Sequence, residues 1–430
     1  MTILLTMNTC SIKTRGIMTP KNAKKARIKR LLLVMALLVT AFCVLHLLRH
    51  SILPQACANG ASLEEIRDAL GGHVNTNLHG LDMSALQDFV NELQLGEADG
   101  FFGGSVTFFM HSIINGEFHG GFGAFLNHSF RLITGQILSF LPFLISIVAI
   151  SIIFSVIDGM SSGFLKSSTH EIIYFVCYAA IVVLVVTQVM RLTLMTRNTI
   201  GGLQTLMNAS FPILLTLMIA LGGHVSVSAY QPMLAVLSVG IVNVITALII
   251  PAFIASTVFS VVGNLSKTVK LEKFTKFFKS FAEFVLGLVF GLFMFFVAFE
   301  GITGSILDGI SIRSARFALS SYVPILGGYL SDGFDLFMAS FVLIKNAVGV
   351  TSLLIMLFVI LSPVITIYLF SLGLKLTAGI IEPICDKRLS ELIYGVSKNI
   401  TLLAVAILGV AFMFFIMVML VIFTGNFGYI

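Results

Sequence analysis

Residues 321–335 read SYVPILGGYLSDGFD and place a proline, a glycine pair and two aspartates between long apolar runs. Such helix breakers and carboxylates belong either in a water-exposed loop or in a backbone break at membrane depth. At that depth non-helical backbone is tolerated only where protein or a water-filled cavity satisfies its N–H and C=O groups. The rest of the chain decides between the two. Of 430 residues, 57% are hydrophobic and 11% charged, against about a quarter charged in soluble domains. Mean hydropathy is +1.02. The chain reads as an all-α polytopic membrane protein.

Apolar runs long enough to cross a core of about 30 Å are Ile137–Ile157, Ile172–Met190, Met233–Val262, Phe284–Ile302, Phe337–Gly373 and Leu402–Phe423. The expectation is therefore about six transmembrane helices. Two shorter apolar stretches, FPILLTLMIALGG (211–223) and VPILGG (323–328), are too short to span. They are expected to enter the membrane and turn back, or to sit broken against other helices. Pro212, Gly222 and Gly223 mark the first, and Pro324, Gly327 and Gly328 the second.

The spacing of these stretches suggests an internal repeat. Pro212 and Pro324 both open the triplet PIL, and Pro251 and Pro363 repeat the same offset of 112 residues. An amphipathic stretch precedes each triplet: Ile200, Leu203, Leu206 and Met207 in one copy, Ile312, Ala315, Ala318 and Leu319 in the other. Each copy makes two crossings, so the copies are parallel rather than inverted. The resulting division is 1–58, N-terminal extension and signal; 59–130, a small helical extracytoplasmic region; 131–195, a first transmembrane hairpin; and 196–305 and 306–430, the two membrane repeats.

The charges orient the spans. Eight of the 26 Lys and Arg lie between Lys13 and Arg30, ahead of the apolar run Leu31–Leu45. That order fits a secretory signal and gives no reason to invoke nucleic acid. Ala56 and Ala58 in PQACANG form an A-x-A cleavage site, with an uncleaved signal anchor as the alternative reading. Met18 is a candidate start. With residue 59 outside, ten basic residues fall on cytoplasmic segments and six on outer ones, as the positive-inside rule requires. Five of the ten are Lys267, Lys270, Lys273, Lys276 and Lys279, and the last four sweep one side of SKTVKLEKFTKFFKSF while Leu271, Phe274, Phe278 and Phe281 take the other. This pattern predicts an interfacial helix on the cytoplasmic leaflet, drawn to anionic lipid, or alternatively a docking surface for a soluble partner.

Few residues suggest chemistry. Asp332 and Asp335 follow the glycine pair, and Lys345 lies ten residues further on in an apolar run. Ionisable groups at membrane depth are costly and line cavities or pair with one another. The aspartates read either as a sensing or coupling pair, or as caps of a helix starting near Phe334 with Lys345 snorkelling to the interface. His224 has no second ligand at metal spacing, and neither a Walker loop nor an HExxH motif occurs. Cys177 and Cys385, the cysteines beyond the signal, are widely separated and imply no disulfide framework. No catalytic residue, metal site or cofactor is expected.

The run SIRSARFALSSYVPILGGYLSDGFD (311–335) resembles the most recognisable stretch of the stage III sporulation protein AE family, and FPILLTLMIALGG (211–223) is similar to its earlier proline motif. The resemblance covers roughly residues 30–430 and implies a protein of endospore-forming bacteria. It would sit in the mother-cell membrane facing the forespore, within a multiprotein channel and secretion-like apparatus needed for late forespore development. Its partners would be other proteins of the stage III sporulation complex, among them an ATPase-like sibling and ring-forming subunits. The family carries no defined catalytic residues. Two further readings stand beside it: a stand-alone secondary transporter using Asp332, Asp335 and Lys345, and a scaffold that moves nothing.

Overall fold

The structure is a computed structural model that describes residues 74, 77–78, 80–92, 105–115, 121–161, 167–265, 271–322 and 327–424. The signal, with Ala56 and Ala58, lies outside the described residues, as do Lys267, Lys270 and Pro324. All described residues fall in one compact unit, Glu64–Ile430. Every described element is a helix.

Two short helices come first, α1 (Ser84–Glu92) and α2 (Val106–Asn115). The membrane helices follow: α3 (Gly121–Ser161), α4 (Ser167–Ala220), α5 (His224–Gly263), α6 (Glu272–Tyr322), α7 (Gly327–Ile381) and α8 (Lys387–Phe423). All six are long and apolar enough to cross a membrane, so the chain is a multi-pass helical membrane protein. Most of α8 is enclosed by the others, with α7 its most extensive neighbour, while α3 and α6 are the least enclosed.

Small residues let the backbones meet, as membrane helix packing requires. A Cβ on Gly349 of α7 would stand 2.6 Å from Ile422 of α8, one on Gly395 of α8 2.7 Å from Ser260 of α5, and one on Gly373 of α7 2.7 Å from Leu144 of α3. Buried hydroxyls and amides bond across the same seams. Ser371 donates to the Ser397 carbonyl (2.9 Å), Ser390 to that of Ala378 (2.9 Å) and Asn399 to that of Ser256 (3.4 Å).

One end of the bundle gathers the basic residues. There Tyr174 of α4 donates to the Asn264 carbonyl (2.9 Å), Tyr178 to that of Val261, and Cys385 to that of Ser151 on α3 (3.0 Å). Arg388 pairs with Asp386 at 2.8 Å and lies 3.7 Å above the Tyr174 ring. The Arg388 and Asp386 side chains are only 14% and 21% exposed, so the clasp is better shielded than a surface ion pair. Arg388→Ala is expected to lower stability by about 1–2 kcal/mol. A double-mutant cycle with Tyr174→Leu in detergent-solubilised protein, read by thermal unfolding, checks that the two side chains couple.

At the far end, α1 packs on α4 and α2 on α7. Gln87 of α1 accepts from the Val106 amide at the start of α2 (2.8 Å), and Asn77 donates to Ser340 of α7 (3.1 Å). Asp82 accepts from the amide and the hydroxyl of Ser84 ahead of α1, and these bonds hold its carboxyl below the usual range.

Three details differ from the sequence expectations. First, Pro212 does not break the backbone. It lies inside α4, and the interruption is confined to Leu221–Gly223, where Gly222 adopts φ 81°, a conformation open to glycine. Proline is tolerated within membrane helices because neighbouring groups satisfy what it frees. Second, α7 begins at Gly327. Asp332 and Asp335 therefore lie within its opening turns and do not cap a helix starting near Phe334. Third, the lysine-bearing segment is no separate interfacial helix over its described part, because α6 runs unbroken from Glu272 to Tyr322. The expected boundaries at 195/196 and 305/306 fall inside α4 and α6, so neither marks a break in the chain's structure.

Candidate functional site: a polar hairpin face at membrane depth

The 54 residues of α4 measure about 81 Å at 1.5 Å per residue, far more than a bilayer core of about 30 Å. The helix changes character partway. In its first half the exposed large apolar side chains are Ile172, Phe175, Val176, Val183, Val186 and Met190, a surface suited to lipid. Beyond Leu194, among the described residues, no large apolar side chain is exposed until Ile219. The exposed positions there include Arg197, Asn198, Thr205, Asn208, Pro212 and Thr216, with Arg191 just ahead of them. The opposite face, Ile200, Leu203, Leu206 and Met207, is fully buried.

The polar face continues on α5. The turn at Leu221–Gly223 folds α5 back against α4, and His224, Ser228, Gln231 and Asn243 are exposed along it, interleaved with exposed Val225, Val236 and Val239. Two π-helical stretches, Val236–Ile241 and Ile245–Ile249, interrupt the α geometry before Pro251. Such widened turns recur at functional sites because they leave backbone groups unpaired and re-aim side chains. A cleft of about 400 Å³ runs between the two helices. Met207, Phe211, Leu215, Ile219, Val227 and Leu234 form its apolar walls, and Asn208, Thr216, Gln231 and Ser238 supply polar groups. Pro212 lines it too. Lacking an N–H, Pro212 leaves the Asn208 carbonyl without its usual helical partner. The Thr216 hydroxyl donates to the Pro212 carbonyl at 2.8 Å.

Packing fixes the depth of this face. Phe211 meets Phe414 edge-on with ring centroids 5.4 Å apart, and Phe414 lies midway along the apolar run Leu402–Phe423. Gly202 faces Val359 in the middle of α7. From Tyr174 to Phe211 is about 55 Å of helix, whereas from Arg388 to Phe414 is about 39 Å. The pairs Tyr174–Arg388 and Phe211–Phe414 are both in contact, so α4 and α8 are not straight parallel rods between them. The polar half of α4 thus lies beside the apolar spans of α7 and α8, at membrane depth. Polar and ionisable residues at that depth face a bundle interior or a water-filled cavity.

A second polar feature closes the far end of α8. Lys345 of α7 is wholly buried, and its ammonium donates to the Thr424 carbonyl. Thr424 Oγ1 is 2.8 Å from the hydroxyl of buried Tyr230 on α5. The cation meets the carbonyl end of a helix, where the macrodipole is negative. Lys345 therefore does not snorkel to water; it joins α5, α7 and α8.

Of the residues singled out from sequence, Gly222 and Gly223 form the α4–α5 turn, and Pro212 lies within α4 on the wall of the cleft. Gly327, Gly328, Asp332 and Asp335 are helical in backbone at the start of α7, and their side chains lie outside the described residues. Lys276 pairs with Glu272 at 2.6 Å, Lys279 reaches the Lys398 carbonyl at 2.7 Å, and Lys273 is exposed. Phe274 and Phe278 stack on Phe259 of α5, while Phe274 and Phe281 keep large exposed surfaces. Arg191, Arg197, Asn208, Thr216, Gln231 and Ser238 were not singled out from sequence. The signal was available in the polar residues interleaved at helical spacing with the apolar face of 200–207. Among the described residues no group of three or more His, Cys, Asp or Glu could hold a metal.

These features define a polytopic helical membrane protein with a water-compatible hairpin face set among its spans. The chain belongs to the stage III sporulation protein AE family, whose profile it matches over residues 105–425. It is similar to stage III sporulation protein AE of Bacillus subtilis (strain 168), with 21% identity over 372 residues, 86% of this chain and 93% of that protein. No solved structure matches it. The family membership gives the chain a role in sporulation.

Proposed function

We propose that this chain is a multi-pass component of the channel or secretion-like complex that joins mother cell and forespore, and that the α4–α5 hairpin face lines or gates its path. The carrying observation is the switch in α4 from an exposed apolar surface to an exposed polar one while the helix stays packed against the apolar spans of α7 and α8. The corresponding motif at Pro324, Gly327, Gly328, Asp332 and Asp335 would serve the second repeat in the same way. The protein would sit in the mother-cell membrane facing the forespore, with its basic end in the cytoplasm. There Lys267, Lys270, Lys273, Lys276 and Lys279 would meet anionic lipid or a partner. Its partners would be the other proteins of the stage III complex, and no nucleic acid or enzymatic step is invoked.

Cysteine accessibility tests the reading. Single cysteines at Thr205, Asn208, Thr216 and Gln231, in a background with the native cysteines changed to serine, are expected to react with a membrane-impermeant maleimide in the assembled complex. Cysteines at Val183 and Val186 are expected to stay unreactive. Equal protection at both sets would remove the path and leave a scaffold.

A further inference from the structure

Resting on the reading of this face as a path, we infer that the α4–α5 face selects for small anions. From Ile172 to Leu271, the whole of the hairpin and both its approaches, the chain carries no Asp or Glu. Against that background stand Arg191 and Arg197, both exposed. Neither forms an ion pair among the described residues. The acids at the far end, Asp82, Asp88 and Glu92, belong to α1 and the turn ahead of it, a separate element seated on α4, and the two arginines pair with none of them; Asp332 and Asp335, the carboxylates of the second motif, belong to the start of α7 and not to this face. The cleft begins beyond the two arginines along α4, and its polar groups, Asn208, Thr216, Gln231 and Ser238, are neutral and can hydrate or hydrogen-bond a passing solute without holding it by charge.

An arginine keeps its charge at any physiological pH, and a guanidinium in lipid would be costly. The arrangement is stable only if water or an anion reaches both side chains. Fixed positive charge beside low-dielectric walls concentrates counter-ions, and rings of Arg or Lys are the usual device of anion pores. One hairpin is open on its outer side, so the path closes only when further subunits meet it. If those are copies of this chain, the symmetry of the assembly repeats Arg191 and Arg197 around the axis.

The test uses the complex purified from sporulating-cell membranes, placed in planar bilayers of uncharged phosphatidylcholine under a KCl gradient. The reversal potential is expected to report chloride preferred over potassium. In the double variant Arg191→Gln/Arg197→Gln the chloride-to-potassium permeability ratio should fall severalfold, toward unity, with conductance retained. The charge-conserving double variant Arg191→Lys/Arg197→Lys should keep the preference and controls for misassembly. A cation-selective conductance, or a ratio unmoved by the glutamine changes, overturns the anion inference and leaves the path standing. No conductance from the intact complex overturns both.

Discussion

Lys345→Glu is expected to abolish the folded protein, whereas Lys345→Met is expected to be tolerated. Lys345 is fully buried and its ammonium ends on the carbonyl of Thr424, at the negative end of α8. A glutamate there would set an anion against that carbonyl and the macrodipole, away from water. Leaving a buried charge uncompensated costs about 3–5 kcal/mol, a large part of the stability of most proteins. Methionine removes the cation and its desolvation penalty while filling nearly the same space, and it leaves the Thr424 carbonyl short of a donor, worth about 1–3 kcal/mol. Monodispersity and thermal stability in detergent, measured for both variants side by side, check the contrast. A glutamate variant as stable as the parent would mean that this side chain reaches water and that the junction of α5, α7 and α8 is absent.

Enlarging Gly349 is expected to part α7 from α8 in proportion to the added volume. A Cβ there already stands 2.6 Å from Ile422 Cδ1 and 3.5 Å from Val418 Cγ1. Alanine is expected to cost about 1 kcal/mol, since the end of Ile422 can move aside, whereas phenylalanine has nowhere to go and should cost about 3 kcal/mol or more. Gly379 on the same helix is the control, because nothing lies within 4 Å of its Cβ position. Gly379→Ala should be neutral or stabilise by up to about 1 kcal/mol through helix propensity. Unfolding midpoints for the series would decide the matter, and a flat response at Gly349 would show that the two helices do not approach as closely as described.

The fold class was legible in the sequence because apolar run length is a direct physical requirement of the bilayer. Ile137–Ile157, Ile172–Met190 and Leu402–Phe423 each fall within one of the six long helices. Their continuation was not legible. Pro212 reads as a breaker by local propensity, yet α4 continues to Ala220, with Phe211 packed against Phe414 at the turn that proline weakens. The tertiary environment there overrides a local preference. The π-helical turns at Val236–Ile241 and Ile245–Ile249 lie in Val- and Ile-rich sequence that carries no pattern of its own. The partner of Lys345 was hidden for a different reason: Thr424 is 79 residues away, and spacing along the chain says nothing about which carbonyl a buried ammonium will find. Nor could hydropathy alone tell that residues 200–220 pack at membrane depth, since an outer amphipathic helix has the same composition.

The 51-residue α6 has a mechanical consequence. It runs between the proline-bearing helices α5 and α7 as one rod of about 77 Å. Near its start Phe274 and Phe278 stack on α5, and further along Phe290 meets Phe412 of α8. Both grips fall within the first twenty residues of the rod, so that stretch is fastened to α5 and α8 alike. Whatever moves in this bundle, that opening stretch of α6 travels with α5 and α8 as one piece.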